Sequence, residues 1–387
     1  MPVTSSNKRY DVIVAGVGAM GAATCWQLAK RGKRVLGLER FDIPHVMGSS
    51  HGTNRIIRLA YFEHASYVPL LRRAYELWRE AEALWGEQLL FITGGVDAGP
   101  EDGRVVRGAL ASCHEHGLPH EVVSAQELTR RHPGWRLPQS HVAVLQADGG
   151  FVASERAVSA HATLAIAAGA DIHGREAMLD WQPTADGVRV RTERGTYEAE
   201  RLVLSTGAWI GDHVPELAGK AIPERQVLGW FRPLEPSHFK VGRFPVGVID
   251  DAKLVYVFPE WGVPGFKLGV YNHLRESGHG DTLSREPNDR DEQLLREAVR
   301  RYFPDADGSV LALRVCLFTN VADEHFVVDT LPGAPQVVVA SPCSGHGFKF
   351  ASVMGEVLAD FATGARPAFD LELFRLSRLS ARPSTPL

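Results

Sequence analysis

The chain has 387 residues, is 44% hydrophobic and carries a formal charge of −4 at neutral pH. That size and apolar content allow two or three domain-sized units with full cores and exclude a disordered chain. The sequence has no basic stripe for nucleic acid, no apolar run long enough for a bilayer, and no metal-like spacing among Cys25, Cys113, Cys316 and Cys343. The start, MPVTSSNKRY, lacks the apolar stretch of a secretory signal, and the few cysteines suit a reducing, cytoplasmic location.

In chain order, the first predicted element is a buried parallel strand, Asp11 to Ala15. Gly16-Val17-Gly18-Ala19-Met20-Gly21 follows at once, and Ala22 to Arg31 suits a helix that Gly32 stops. Arg34 to Leu38 is a second strand, ending in Glu39. This is the βαβ context that gives G-x-G-x-x-G its meaning as a dinucleotide turn. Gly16 permits the tight turn, Gly18 lets the backbone approach a pyrophosphate, and Gly21 lets helix and strand pack closely. The N–H groups at the helix start then face phosphate charge. Glu39 stands where an acid can bond a ribose hydroxyl, and it would repel a 2′-phosphate. The turn alone leaves NAD and FAD both open.

Ser49-Ser50-His51-Gly52-Thr53-Asn54-Arg55-Ile56-Ile57-Arg58 begins small and polar and ends in two arginines around an apolar pair. Arg suits this context because its planar fork grips a carboxylate in two places. Ser124 is a predicted helix N-cap, with Glu127 completing a capping box. Arg201 to Leu204 is a strand that enters the turn Ser205-Thr206-Gly207-Ala208-Trp209. From Gln226 to Tyr271, short apolar runs broken by Pro and Gly predict an antiparallel sheet. Within it, Leu254 to Phe258 and Phe266 to Val270 are neighbouring strands, and Lys267 is a lone cation in the second. Gln336 to Ala340 is a continuous apolar strand, Ser341 to Gly347 a small-residue turn, and Phe348 to Phe361 a helix. A helix starting at the end of a parallel strand is where open α/β sheets bind ligands. Lys349 in its first turn is locally unfavourable beside the positive dipole end, and such a conflict points to function.

Several of these segments resemble the monomeric sarcosine oxidase family of flavoenzymes. They are S-S-H-G-x-x-R-I-I-R from Ser49, Y-x-F-P from Tyr256, F-K-x-G from Phe266, C-L-F-T-N-V-A-D-E-H-F-V-V-D from Cys316, and S-G-H-G-F-K ending at Lys349. The resemblance runs from Asp11 to about Arg378. It implies an α/β fold in which a discontinuous Rossmann-like FAD-binding domain (1–90, 150–220 and 320–387) is interleaved with an α+β, antiparallel-sheet substrate domain (91–149 and 221–319). It also implies FAD linked covalently to Cys316 and cradled by Gly16, Gly18, Gly21, Glu39, Gly345, His346, Gly347 and Phe348. His51 and Arg55 would lie near the flavin, Lys267 would promote reaction with oxygen, and Tyr256 would face the substrate. Arg58 and Lys349 would hold the substrate carboxylate, with Tyr271 and Phe318 completing the pocket. A nearby cation such as Arg314, or a ring-facing arginine, would help the Cys316 thiol to react. The implied reaction oxidises a secondary N-methyl amine bearing a carboxylate to an imine, which hydrolyses to an aldehyde and a primary amine, while O2 becomes H2O2. The family expectation is a monomer, without nucleic-acid or membrane partners.

The chain departs from the family at the presumed substrate pocket. Tyr271 stands where the sarcosine enzymes have a histidine, with His273 two residues later. Phe318 replaces a common tyrosine, and Ser341-Pro342-Cys343 replaces a segment with Gly and a bulky aromatic. These changes keep open a bulkier substrate: an N-methyl aromatic, cyclic imino or glycated amino acid. An NAD-dependent dehydrogenase and a non-catalytic flavin-binding protein are the remaining alternatives.

Overall fold

The computed structural model describes residues 9–380. Strand Arg9–Ala15 lies in the middle of an eight-stranded sheet, parallel to Val35–Leu38 on one side and to Thr196–Leu204 on the other. Ala334–Ser341 extends the parallel core beyond Thr196–Leu204, and Asp171–His173 extends it beyond Val35–Leu38. Antiparallel strands Met178–Thr184, Gly187–Thr192 and Val327–Leu331 fill the edges. The near-continuous Val, Ile and Leu runs fit strands covered on both faces. Ile13, Val14, Leu202, Leu204, Val337 and Val339 are all fully buried, each worth about 1.5–3 kcal/mol relative to an exposed side chain.

One face carries helices Ala19–Lys30, Ser154–Ala167 and Ala351–Thr363, which share a core with helix Val68–Trp85. Trp26, His161 and Trp78 stack through that core, with ring centroids 5.2 and 5.0 Å apart. Burial drives the His161 pKa down to about 3, so it packs as a neutral ring.

A second eight-stranded sheet runs in the order Val310–Asn320, Ile222–Phe231, Phe266–Val270, Leu254–Phe258, Val246–Asp250, Gly95–Pro100, His141–Gln146 and Glu121–Ser124. Leu254–Phe258 and Phe266–Val270 pair antiparallel, as expected. A small sheet of Asn54–Ile57, Gly150–Ala153 and Leu90–Ile92 also forms.

Three local expectations shift. The first helix starts at Ala19, three residues early, so Gly21 lies inside its first turn. Ser124 caps its helix by accepting the Glu127 N–H at 3.2 Å, but the Glu127 carboxylate turns to Arg130 and Arg131 instead of back to the cap. Those i,i+3 and i,i+4 arginines offer it charge-assisted bonds that outcompete a backbone donor. The last helix begins as a 3-10 turn, Phe348–Phe350, before becoming α-helical at Ala351.

Candidate active site

A cavity of about 510 Å³ runs between the two large sheets. At one end it is lined by Gly16, Gly18, Glu39, Arg40 and Thr206, and at the other by Arg58, Tyr256, Tyr271, Phe318 and Lys349. The first end is the carboxyl edge of the parallel sheet, where such sheets bind dinucleotides. Gly16 has φ 88°, and a Cβ on Gly21 would stand 1.8 Å from the Gly16 carbonyl oxygen. Gly18 has no side chain to cap the helix, and the Ala19 N–H donates to Ser50 Oγ at 3.2 Å. Glu39 is buried and its carboxylate accepts the N–H groups of Val17 at 2.8 Å and Phe41 at 2.9 Å. Burial pushes its pKa up, opposed by the backbone N–H groups of Phe41, Val17 and Arg40. The Thr206 hydroxyl lines the same end and is buried without a partner. A glycine turn, a buried acid and an orphaned hydroxyl fit a bound dinucleotide.

The segment 49–58 forms one wall. Gly52 and Thr53 both have positive φ, 93° and 71°, a conformation that disfavours a side chain. A Cβ on Gly52 would also lie 2.5 Å from Leu228. Glu155, in the first turn of helix Ser154–Ala167, accepts the N–H groups of Gly52 at 2.7 Å and Thr53 at 3.0 Å and so pins the turn. Burial alone would raise the Glu155 pKa, but the bonds from Ser154, Thr53 and Gly52 outweigh it and hold it low. The turn aims its carbonyl groups at Lys267, whose Nζ donates to Gly52 O at 2.7 Å, Asn54 O at 2.8 Å and Asn54 Oδ1 at 2.6 Å. The Lys267 ammonium also lies 4.0 Å from the Phe258 ring centroid. Burial and then Arg55 push its pKa well down, while three acceptors suit its three ammonium donors. Lys267 and His51 thus stand behind this wall instead of on the cavity surface. The His51 ring is buried, its Nε2 has no partner, and burial lowers its pKa to about 4. Arg55 lines the cavity and donates to Asn54 O and Ser49 O, both at 2.9 Å.

At the far end Arg58 is buried over the Tyr61 and Phe62 rings, 4.8 and 4.4 Å from their centroids. It donates to Ala60 O at 2.7 Å and to Glu63 at 2.9 Å. Lys349 donates to His346 O at 2.7 Å and sits 5.1 Å from the Tyr61 centroid. Burial lowers its pKa to about 7, with Glu63 opposing. The 3-10 turn and the carbonyl of His346 relieve the conflict of a cation at a helix start. His346 itself is fixed as a neutral ring. Its Nε2–H donates to Glu324 O at 2.9 Å, and its Nδ1 accepts from Tyr61 Oη at 2.5 Å. Burial brings its pKa to about 4. Gly345, Gly347 and Phe348 line the cavity beside it.

Cys316 is buried, lines the cavity and packs with Leu228, Trp230 and Tyr256. Burial raises its thiol pKa, opposed by Arg55, Lys267 and Arg285. Arg314 is exposed and donates to Leu313 O, so the cations that face the thiol come from elsewhere. The Tyr271 and Phe318 rings meet at 5.2 Å, and the Tyr271 hydroxyl donates to Ser344 O at 2.7 Å. His273 turns away to Asp291 at 3.0 Å, where Arg225 also binds at 2.7 Å.

Sequence reasoning missed Glu63, Asp97, Asn54, Glu155 and Arg285. An acid in the apolar strand G-V-D-A-G was a signal for Asp97. The pairing of Glu63 with Arg58 left none, because Glu63 sits in an ordinary polar loop.

Residues 11–361 match the family model described as FAD dependent oxidoreductase, and the chain belongs to that family. It is therefore an FAD enzyme family member, which displaces the NAD alternative. Among its relatives, the monomeric sarcosine oxidase of Streptomyces avermitilis is 40% identical over 97% of this chain and 99% of that protein. The N-methyl-L-tryptophan oxidase of Salmonella agona is 35% identical over 96% of this chain and all of that protein. The structure of NikD, an amino acid oxidase essential for nikkomycin biosynthesis, aligns with TM-score 0.82 at 28% identity, covering 95% of this chain and 97% of that one.

Proposed function

We propose that the protein oxidises a secondary N-methyl amino acid to its imine, which hydrolyses to an aldehyde and a primary amine while O2 is reduced to H2O2. The observation that carries this reading is a buried Arg58 and Lys349 facing one end of a cavity whose other end is a dinucleotide turn. FAD, when bound, supplies the two-electron acceptor for the substrate and the donor to oxygen. In this reading Gly16, Gly18, Gly21 and Glu39 hold its dinucleotide part, and Gly345 to Phe348 and Cys316 hold its reacting end, Cys316 covalently. Arg58 and Lys349 bind the substrate carboxylate, and Tyr256, Tyr271 and Phe318 enclose the rest and exclude water. Arg55 and His51 support the flavin-facing wall. Lys267 places positive charge where oxygen gains negative charge, and its three acceptors keep it there. We assign residues 1–90, 150–220 and 320–387 to the cofactor unit and 91–149 and 221–319 to the substrate unit of a monomer that works in the cytoplasm.

The Tyr271–Phe318 ring pair favours a second reading with the same chemistry on a bulkier amino acid. A panel of sarcosine, N-methyl-L-tryptophan, L-proline and a fructosyl amino acid, assayed by peroxide release, separates the two. A preference for sarcosine supports the first reading, and a preference for N-methyl-L-tryptophan, L-proline or the fructosyl amino acid moves the assignment to the second. A yellow protein that none of the four reduces would leave a non-catalytic flavoprotein.

A further inference from the structure

Asp97 sits in strand Gly95–Pro100 with 3% exposure, between Val144 and Val248 on the neighbouring strands. A buried carboxylate needs a compensating charge. Its Oδ1 lies 3.5 Å from Arg58 Nε, an ion-pair contact in which neither atom has a hydrogen bond. Glu63 occupies another edge of the same guanidinium at 2.9 Å. Arg58 therefore faces two carboxylates, and its positive charge is more than matched before any substrate arrives. With all four ionised, Arg58, Lys349, Glu63 and Asp97 sum to zero. Glu324 lines the same cavity and is countered by Arg104 at 3.8 Å. Burial raises the Asp97 pKa to about 6 and lowers that of Lys349 to about 7, so at pH 8 the cluster leans negative.

We propose that Asp97 is a specificity-determining residue: by holding the Nε edge of Arg58 and cancelling its charge, it makes the site accept amino acids with a single carboxylate and reject those with an acidic side chain. The inference rests on the amino acid oxidase reading above. One carboxylate is repaid by hydrogen bonds from Arg58 and Lys349. A second would enter a cavity end bordered by Glu63 and Glu324, where Glu63 and Asp97 already offset Arg58 and Lys349 and Glu324 offsets Arg104, and like charges at short range disfavour it.

The test uses the holoenzyme at pH 8 and the near-isosteric Asp97→Asn. The kcat/KM ratio of N-methyl-L-alanine to N-methyl-L-glutamate is expected to fall about tenfold, through a gain for the glutamate derivative. Propionate, followed by its effect on the flavin spectrum, is expected to bind about tenfold tighter, and this gain should vanish when Arg58→Met is added. A ratio and a propionate Kd within twofold of wild type would overturn the proposal. So would a propionate gain that survives Arg58→Met, or a parallel loss for all three ligands, which would mark Asp97 as scaffold. Asp97→Ser carries the same comparison if the Asn variant does not fold. Should the wild type oxidise neither amino acid, the four-substrate panel still decides the proposed function, and the propionate arm decides the role of Asp97.

Discussion

At the dinucleotide end of the cavity, the ligand-facing groups are backbone amides and glycines within residues 16–21, completed by Glu39 and Thr206. At the substrate end they are side chains from positions as distant as Arg58, Tyr256, Phe318 and Lys349. The first end depends on the path of the chain and leaves no room for a Cβ at Gly16 or Gly21. The second depends on charge balance and tolerates reshaping, which is how one family can keep its cofactor and vary its substrate.

The sharpest way to break the first end is Gly21→Val. Its Cβ would meet the Gly16 carbonyl at 1.8 Å, so backbone must move, and the expected outcome is colourless protein with no flavin absorbance. At the second end, Arg58→Ala should raise KM about 100-fold, roughly 3 kcal/mol, by removing one arm of the carboxylate clamp and leaving Glu63 and Asp97 unmatched. Steady-state kinetics that show a loss in kcat alone would assign Arg58 another role. Lys267→Met should slow reoxidation of the reduced flavin by about 100-fold, the scale of one oriented charge. Rapid-mixing measurements should find substrate reduction nearly unchanged, and an unaltered oxygen reaction would remove Lys267 from that role. Cys316→Ala should release yellow colour into the supernatant after acid precipitation, where the wild type keeps it in the pellet. The smallest effect concerns pH. Lys349 is a cation with a lowered pKa, so below about pH 7 it is charged and grips an anion, and above it that grip is lost. Propionate binding should weaken several-fold between pH 6.5 and 8.5, and Lys349→Arg should flatten the profile.

The same contrast explains what was legible in the sequence. The turn is local: six residues and their flanking strands carry its geometry, so the tight turn at Gly16, the close packing at Gly21 and the placing of Glu39 at the strand end could be read from the sequence. Only the helix start was misjudged, because Gly21 packs inside the first turn instead of ahead of it. Lys349 betrayed itself as a cation against a helix dipole. Lys267 was visible as a lone charge in an apolar strand, but its burial behind the Gly52–Asn54 turn was not. Contacts such as Asp97–Arg58 depend on how a second-sheet strand sits beside segment 49–58, and no short-range pattern encodes that. Of the two cations expected near Cys316, Arg314 or another arginine facing the site, Arg314 points elsewhere because sequence neighbours in a strand need not share surroundings, while Arg55, Lys267 and Arg285 converge from other parts of the chain.

Glu155 gives the fold an inherited constraint. One carboxylate at the start of a helix sets the Gly52–Thr53 turn, and the carbonyls of that turn and of Asn54 set Lys267, more than 100 residues along the chain. Glycine at 52, acid at 155 and lysine at 267 therefore act as one relay, in which a change at any of the three removes what holds the next in place.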